Sequence, residues 1–179
     1  MLVNKIILVF ISLIFFVPIK SQGIPESNKK ENKYIVRIHA LPTGVSVERS
    51  LSEDAAMMFD IGAGYLYLTY QYYGGRYSDF IIMPYVAVEP RLYTNMNSRK
   101  EKGKRIDYRS GIYTSLRFQA GIVSGIDDWY AQLGPLVGFQ RTLGKRWYWN
   151  IGAGPAVILY HNNTGLGLYG DLNFGFIIH

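Results

Sequence analysis

The chain lacks cysteine altogether, has three histidines, and contains no apolar run long enough for a membrane-spanning helix. Without cysteine, disulfide bonds, a lipidated N-terminal cysteine and thiolate metal sites are all excluded. The histidines, at positions 39, 161 and 179, do not have metal-ligand spacing, so we predict neither a metal site nor a cofactor. The longest apolar run, residues 6–17, is interrupted by Ser12 and falls short of the roughly 20 residues that a spanning helix needs.

This apolar run has the features of a signal peptide. Lys5 supplies a short positive region before it, and Ser21-Gln22-Gly23 offers the small residues that suit cleavage. We therefore predict a signal peptide over residues 1–21, a flexible polar leader over 22–33 and one β-barrel domain over 34–179. An uncleaved N-terminal anchor is the alternative.

Lysine is almost absent from the segments in which apolar and polar residues alternate. In residues 80–93 every even position is apolar, whereas the odd positions include Tyr85, Glu89 and Arg91. A period of two predicts β-strands with one apolar and one polar face. Turn-forming residues separate eight such segments, namely residues 34–40, 45–51, 55–72, 80–93, 109–124, 129–142, 147–160 and 166–178.

The number of strands depends on Pro42. If residues 41–44 form a turn there are eight strands, whereas a single bent strand over residues 34–51 would leave seven. Bacterial membrane barrels have an even number of strands, and the roughly 160 residues that remain after cleavage suit the smallest size. We predict an all-β fold, an eight-stranded antiparallel transmembrane β-barrel.

The placement of lysine indicates which face of the barrel is outside. After Lys33, lysine occurs only at positions 100, 102, 104 and 145, all in predicted turns. A soluble barrel with a dry interior, such as a lipocalin-like fold, would display charged residues on its polar face. Here the polar face carries glycines, amides and few charges, while aromatic residues gather at strand ends as in a membrane interface. We therefore predict that the apolar face contacts lipid, with the soluble barrel as the alternative.

This orientation sends eight ionisable residues into the lumen, with four acids against three arginines and a histidine. They are Arg37, His39, Glu48, Asp60, Glu89, Arg91, Arg117 and Asp171. Because an unpaired buried charge costs several kcal/mol, a nearly balanced set predicts a closed lumen held by salt bridges. We expect Glu89 and Arg91 to pair with Arg117, Asp60 or His39, in a barrel with a structural or surface role. A weak pore is an alternative.

An enzyme that modifies membrane lipid, of the acyl transferase or deacylase type, is the other alternative. His39 is close in sequence to Ser46, and His161 lies in a predicted loop. No spacing makes either histidine a base beside a nucleophile, so we assign no catalytic residue.

A basic connector joins the fourth and fifth predicted strands, and residues 97–109 carry a local net charge of +4. Its basic residues are Arg99, Lys100, Lys102, Lys104 and Arg105, with Arg109 at the end of the range, against Glu101 and Asp107. No aromatic residue is interleaved with the basic residues over 99–105, and the chain is expected to be exported, so we expect no nucleic-acid partner. The expected partners are outer-membrane lipid, lipopolysaccharide and the barrel-assembly machinery, with the protein a monomer.

The segment Glu89-Pro90-Arg91-Leu92-Tyr93, with the basic turn that follows it, resembles a family of small outer-membrane β-barrel proteins of Bacteroidota. Ser110-Gly111 and the segment over residues 141–145 fit the same pattern. The resemblance implies an outer-membrane location in a Gram-negative envelope, but that family is mostly uncharacterised and has no established activity to carry over. We also expect short outward loops at residues 74–79 and 161–165.

Overall fold

A computed structural model describes residues 33–72, 75–124, 128–160 and 163–178. Eight antiparallel strands form one closed barrel in sequence order, and the last strand pairs back onto the first. The strands are β1 (Tyr34–Leu41), β2 (Thr43–Ser50), β3 (Ala55–Tyr72), β4 (Gly75–Tyr93), β5 (Gly111–Val123), β6 (Asp128–Leu143), β7 (Trp147–Tyr160) and β8 (Asn163–Ile177). The prediction of an eight-stranded antiparallel barrel is confirmed.

Pro42 lies in a turn between two separate strands. β1 and β2 pair antiparallel from Tyr34 opposite Arg49 to His39 opposite Gly44. Since Pro42 has no N–H to donate to a ladder, a turn is where it costs least. The first hairpin therefore supplies two strands, and the seven-stranded alternative is wrong.

The two faces of the sheet have inverted polarity compared with a soluble protein. On β5 the side chain of Phe118 is 47% exposed, whereas its neighbour Gln119 is 7% exposed. On β8 the same contrast holds between Leu172 and the buried Asn173. Alternate residues of a strand point to opposite faces, so the apolar side chains lie outside the barrel and the polar ones fill it.

Both ends of the described chain lie at one end of the barrel, which we call the terminal end. The turns at residues 51–54, 94–110 and 144–146 are at the same end, as the alternation of strand direction predicts. We call the opposite end, beyond Pro42, the distal end. The predicted signal peptide, and all of the predicted leader except Lys33, lie outside the described residues, as do positions 161 and 179.

The strands differ in length toward the distal end. β3 and β4 have 18 and 19 residues, but β1 and β2 have 8 each. The expected short loop at residues 74–79 is wrong for residues 75–79, which belong to β4 and pair with β3 as far as Tyr72 opposite Gly75. Residues 163–165, expected as loop, likewise begin β8. The β3–β4 and β7–β8 ladders extend through these residues, because polar residues can form the main-chain hydrogen bonds of an antiparallel pair.

The basic connector folds back over the terminal end of the barrel. It contains a short helix, α1 (Met96–Glu101), and a 3₁₀ turn, Asp107–Arg109, where the sequence predicts only a turn. Met96 is buried against Tyr93 and Tyr113. Tyr108 and Arg109 have φ angles of 51° and 57°, an unusual backbone conformation that redirects the chain into the barrel mouth. In the described part of the chain, no helix has the length and apolar character needed to cross a membrane.

Candidate functional site

The lumen brings together all eight ionisable residues that the sequence assigns to it. Their side chains point inward, and none is more than 5% exposed. They come from seven positions on β1 to β5 and one on β8, namely Arg37, His39, Glu48, Asp60, Glu89, Arg91, Arg117 and Asp171. Arg109 of the connector, which is 4% exposed, joins them from the terminal end. With Arg109 the lumen holds four carboxylates and four guanidinium groups, so its charge is balanced when His39 is neutral.

Arg117 is the central cation of the lumen. Its Nη1 donates to Glu89 Oε2 at 2.9 Å, and its Nη2 donates to Asp60 Oδ2 at 3.1 Å. Nη1 also lies 3.9 Å from Asp171 Oδ2. One guanidinium from β5 therefore ties together carboxylates of β3, β4 and β8 across the barrel. Such charge-assisted hydrogen bonds are the stronger kind, and they offset the cost of burying the ions.

Glu89 is shared between two arginines on neighbouring strands. Its Oε1 accepts a bond from Arg91 Nε at 2.8 Å, and its Oε2 accepts one from Arg91 Nη2 at 3.1 Å. Arg91 also donates from Nη1 to Gln140 Oε1 at 3.0 Å, which links β4 to β6. The structure thus pairs Glu89 with both Arg91 and Arg117, whereas His39 faces Asp60 instead.

Glu48 anchors the terminal end of the network. Arg37 Nη1 donates to Glu48 Oε2 at 2.7 Å, and the Tyr93 hydroxyl donates to Oε1 at 2.8 Å. Arg109 Nε lies 3.7 Å from the same Oε1, while its Nη1 and Nη2 donate to the main-chain carbonyls of Glu53 and Ser52. The connector is therefore held in the barrel mouth by an arginine that reaches into the charged lumen.

A chain of amide side chains fixes the orientation of His39. Asn173 Nδ2 donates to Asp171 Oδ1 at 2.8 Å, so Asn173 Oδ1 is left to accept a bond from His39 Nδ1, also at 2.8 Å. On the other side, Asn150 donates to Asp171 and accepts a bond from the Tyr113 hydroxyl. This order places the proton of neutral His39 on Nδ1 and leaves Nε2 facing Asp60 Oδ1 at 3.8 Å.

His39 and Ser46 line a small cavity but do not form a catalytic pair. The cavity has a volume of about 10 Å³, and Arg37, Tyr148 and Asn173 are among its other walls. Within the described residues, neither Ser46 Oγ nor His39 Nε2 has a hydrogen-bond partner. A nucleophilic serine requires a hydrogen bond to its base. The geometry therefore assigns no catalytic residue here.

Tyrosines are the part of the site that the sequence interpretation missed. Each of the four lumen arginines lies over a tyrosine ring, an arrangement that favours the cation. The guanidinium carbons are 4.2 to 5.9 Å from the ring centres. The pairs are Arg37 over Tyr148, Arg91 over Tyr113, Arg109 over Tyr93, and Arg117 over both Tyr85 and Tyr169. The tyrosines supply both hydroxyl donors and ring faces to the charged groups.

Four of these five tyrosines, and Tyr130 as well, stand directly opposite a glycine on the next strand. The pairs are Tyr85–Gly62, Tyr113–Gly138, Tyr130–Gly121, Tyr148–Gly175 and Tyr169–Gly154. A Cβ atom added at Gly121 would lie 2.8 Å from the Tyr130 ring, and one at Gly138 would overlap the Tyr113 ring. Small residues therefore make room for large ones in a narrow barrel. Alternating inward tyrosines and glycines are visible in the sequence and could have indicated this packing.

The lumen changes character toward the distal end. Beyond Asp60 and Arg117, Tyr85 and Tyr130 form an apolar cluster with Val123, and Ile81 and Met83 pack against it only partly buried. A second cavity of about 10 Å³, lined by Arg117, Gln132 and Tyr169 among others, marks the boundary. The terminal half is thus packed with ions, whereas the distal half is apolar and more open.

The five residues of the predicted basic connector do not form one surface. Lys100, Lys102 and Lys104 are exposed. Arg99 and Arg105 instead brace the fold: Arg99 donates to the Arg105 carbonyl, and Arg105 pairs with Asp107 and donates to the Gly144 carbonyl. Partial burial, together with the positive charge of Arg141, lowers the pKa of Arg99. The described residues contain no group of three or more potential ligands that could hold a metal ion.

Comparisons of this chain with protein-family models, with curated proteins and with solved structures gave no match. The functional argument therefore depends on the geometry of the barrel itself.

Proposed function

We propose that this protein is a small outer-membrane β-barrel with a structural or surface role and a closed, salt-bridged lumen. The observation that carries the proposal is the inverted polarity of the barrel. Its largest buried side chains include Arg37, Arg91 and Glu89, whereas Phe59, Ile61 and Leu116 are among about thirty exposed large apolar side chains. Hydrocarbon around the barrel would make this arrangement favourable, but water would not.

Aromatic side chains at both ends of the apolar surface support the membrane location. Trp147 and Tyr34 are exposed near the terminal end, and Trp129, Tyr160 and Tyr67 are exposed toward the distal end. Tryptophan and tyrosine favour the boundary between hydrocarbon and headgroups. In the terminal half, the closed ring of eight strands also pairs its main-chain groups, which hydrocarbon requires.

The orientation that we propose places the terminal end in the periplasm. The exposed lysines 100, 102 and 104 would then lie beside anionic headgroups of the inner leaflet, and the distal end would meet lipopolysaccharide. Assembly would use the barrel-assembly machinery, and the protein would be a monomer. Membership of the Bacteroidota family that the sequence resembles is part of this proposal.

The packed lumen favours a closed barrel over a pore. A cation pathway would require a continuous wet route lined mainly by one sign of charge. Instead, four arginines and four carboxylates neutralise one another, and the cavities beside His39 and beside Tyr169 have room for about one water molecule each. We expect no unitary conductance in planar bilayers.

Membrane fractionation combined with trypsin treatment tests location and orientation together. The protein should stay with membranes through carbonate extraction. Trypsin should leave the connector intact in whole cells and cleave it after Lys100, Lys102 or Lys104 once the periplasm is opened. Release by carbonate would contradict the membrane location, whereas cleavage in whole cells would reverse the orientation.

A further inference from the structure

The barrel wall is incomplete toward the distal end. β1 ends at Leu41 opposite Phe174, and β2 begins at Thr43 opposite Ala63. Beyond these points, residues 163–173 of β8 pair only with β7, and residues 64–72 of β3 pair only with β4. The first hairpin is therefore too short to fill the space between β8 and β3. We call the resulting opening the distal notch.

The outer rim of the distal notch is apolar. Leu166 and Leu168 of β8 are 88% and 89% exposed, whereas the other exposed large apolar side chains range from 38% to 64%. The difference arises because these two leucines have a neighbouring strand, β7, on one side only. On the other rim, the apolar surface of β3 continues past Ala63 to Tyr65 and Tyr67. Tyr67 lies four positions beyond Ala63, so this rim rises by about 10 Å along the barrel axis at the usual strand tilt.

The inner rim is apolar as well, and it is thin. Gly64 of β3 and Gly167 of β8 face inward beside the opening. Met83 Cε lies 3.8 Å from where a Cβ of Gly64 would be, and Ile158 Cδ1 lies 2.8 Å from the corresponding position at Gly167. A Cβ at Gly165 would have no atom within 4 Å. Met83 and Ile158 therefore present hydrocarbon to the lumen behind the notch, and Gly165 leaves space beside β8.

We propose that the distal notch admits one acyl chain of a membrane lipid into the distal half of the lumen. This inference rests on the membrane location proposed above. Apolar surface is continuous from the outside of the barrel, past Leu166 and Leu168, to Met83 and Ile158 inside. An acyl chain buries apolar area on both rims, whereas water would leave both rims exposed.

The open strand edges fit the headgroup side of the membrane. Unpaired main-chain groups are too costly in the centre of a bilayer. The notch begins beside Leu172 and Ala63 within the apolar surface and runs past Leu166 and Tyr67 to the distal limit of that surface. At this limit, ester, hydroxyl and phosphate groups and water can pair with the edges of β3 and β8. The lipid would thus sit with its tail in the lumen and its headgroup at the open edges. The charged layer around Arg117 and Asp60 stops the tail from going deeper.

The natural methionines can be used to detect an acyl chain in the distal half of the lumen. Met57 points outward on β3, and its neighbour Met58 points into the terminal half of the lumen. Met83 points into the distal half beside Gly64. Deuterated protein with protonated methionine methyl groups would be placed in bilayer nanodiscs of dimyristoylphosphatidylcholine, with assignment by Met→Leu substitution. Nuclear Overhauser contacts to lipid chain protons should appear for Met57 and Met83, but not for Met58.

A pair of tryptophan variants tests the route of entry. Gly165 of β8 faces the lumen, and a Cβ there meets no atom within 4 Å. Val137 of β6 faces outward, away from the notch, and is 60% exposed. Gly165→Trp should fill the space behind the notch and remove the contact between Met83 and lipid. Val137→Trp adds the same ring to the outer face of β6 and should leave that contact intact.

The outcomes separate the two proposals. Lipid contact at Met57 without contact at Met83 would overturn the entry of an acyl chain and leave the membrane location standing. Absence of lipid contact at Met57 would contradict the membrane location itself. Equal loss of the Met83 contact in both tryptophan variants would also overturn the notch as the route of entry.

Discussion

The terminal half of the lumen is filled by paired ions, whereas the distal half contains apolar side chains. In the terminal half, four arginines and four carboxylates fill the barrel, and the connector closes its mouth through Arg109 and Tyr108. In the distal half, an apolar cluster around Tyr85 and Tyr130 replaces the ions, Ile81 and Met83 are only partly buried, and the wall itself is incomplete beside β8. The same strands β3, β4, β7 and β8 pass through both halves.

The difference shows that closure of the barrel and filling of the barrel are separate properties. Paired ions brace strands that are far apart around the wall, because one guanidinium can reach three carboxylates. Apolar side chains in the distal half make no such directed bonds. We therefore expect substitutions in the terminal half to affect stability, and substitutions in the distal half to affect what the lumen can hold.

The largest expected effect comes from removing the central cation. Arg117→Leu leaves Glu89, Asp60 and Asp171 without their shared guanidinium in a buried site. We expect the free energy of unfolding to fall by about 5 kcal/mol, the upper part of the usual range for a broken buried ion pair. Urea titration in lipid vesicles, followed by tryptophan fluorescence, measures this. Arg141→Leu on the exposed face of β6 is the control and should change stability by less than about 1 kcal/mol.

Removing a carboxylate should have the next largest effect. Glu89→Leu leaves Arg91 and Arg117 without the acceptor of three hydrogen bonds, and we expect a loss of about 3 to 4 kcal/mol. Folded barrels migrate differently from heat-denatured ones on a gel, so the temperature of that shift should fall. Glu89→Gln retains two of the acceptor lone pairs, so its shift temperature should lie between that of the wild-type protein and that of Glu89→Leu. An unchanged shift temperature in Glu89→Leu would contradict a supporting role for the ion network.

A pair of methionines compares the packing of the two halves. Met58 faces the terminal half and is 3% exposed, whereas Met83 faces the distal half and is only partly buried. Met58→Ala should cost about 2 to 3 kcal/mol through the cavity that it leaves. Met83→Ala should cost less than about 1 kcal/mol, since its surroundings are already open. Equal losses in urea titration would show that both halves are packed alike.

A pair of glycines gives the smallest and sharpest comparison. Gly138→Ala forces a methyl group against the Tyr113 ring, and such overpacking should cost about 1 to 2 kcal/mol. Gly165→Ala adds the same methyl where nothing lies within 4 Å. Its effect should stay within about 0.5 kcal/mol. If the two substitutions proved equally harmful, the distal half would not have the space that we infer.

The sequence predicts much of the fold and the membership of the lumen, but not its contacts. Period-two alternation places Phe118 outside and Gln119 inside without any knowledge of the other strands. That Arg117 should meet Asp60, 57 positions earlier, depends on the register of two ladders, β3–β4 and β4–β5, and on closure of the barrel. The inward direction of Arg109 depends on the positive φ angles of Tyr108 and Arg109, and the sequence predicts only a basic turn there.

By itself the sequence determined the face of each residue and the confinement of lysine to the turns, because these follow from local alternation and turn chemistry. It left open whether residues 34–51 form one strand or two, and the structure decided for two. The tertiary structure alone decided which ions pair, how tyrosines stack on glycines, that the connector closes one mouth, and that the wall is open at the other end. These features arise between strands that are distant in the chain, where the register and unequal lengths of neighbouring strands set the distances.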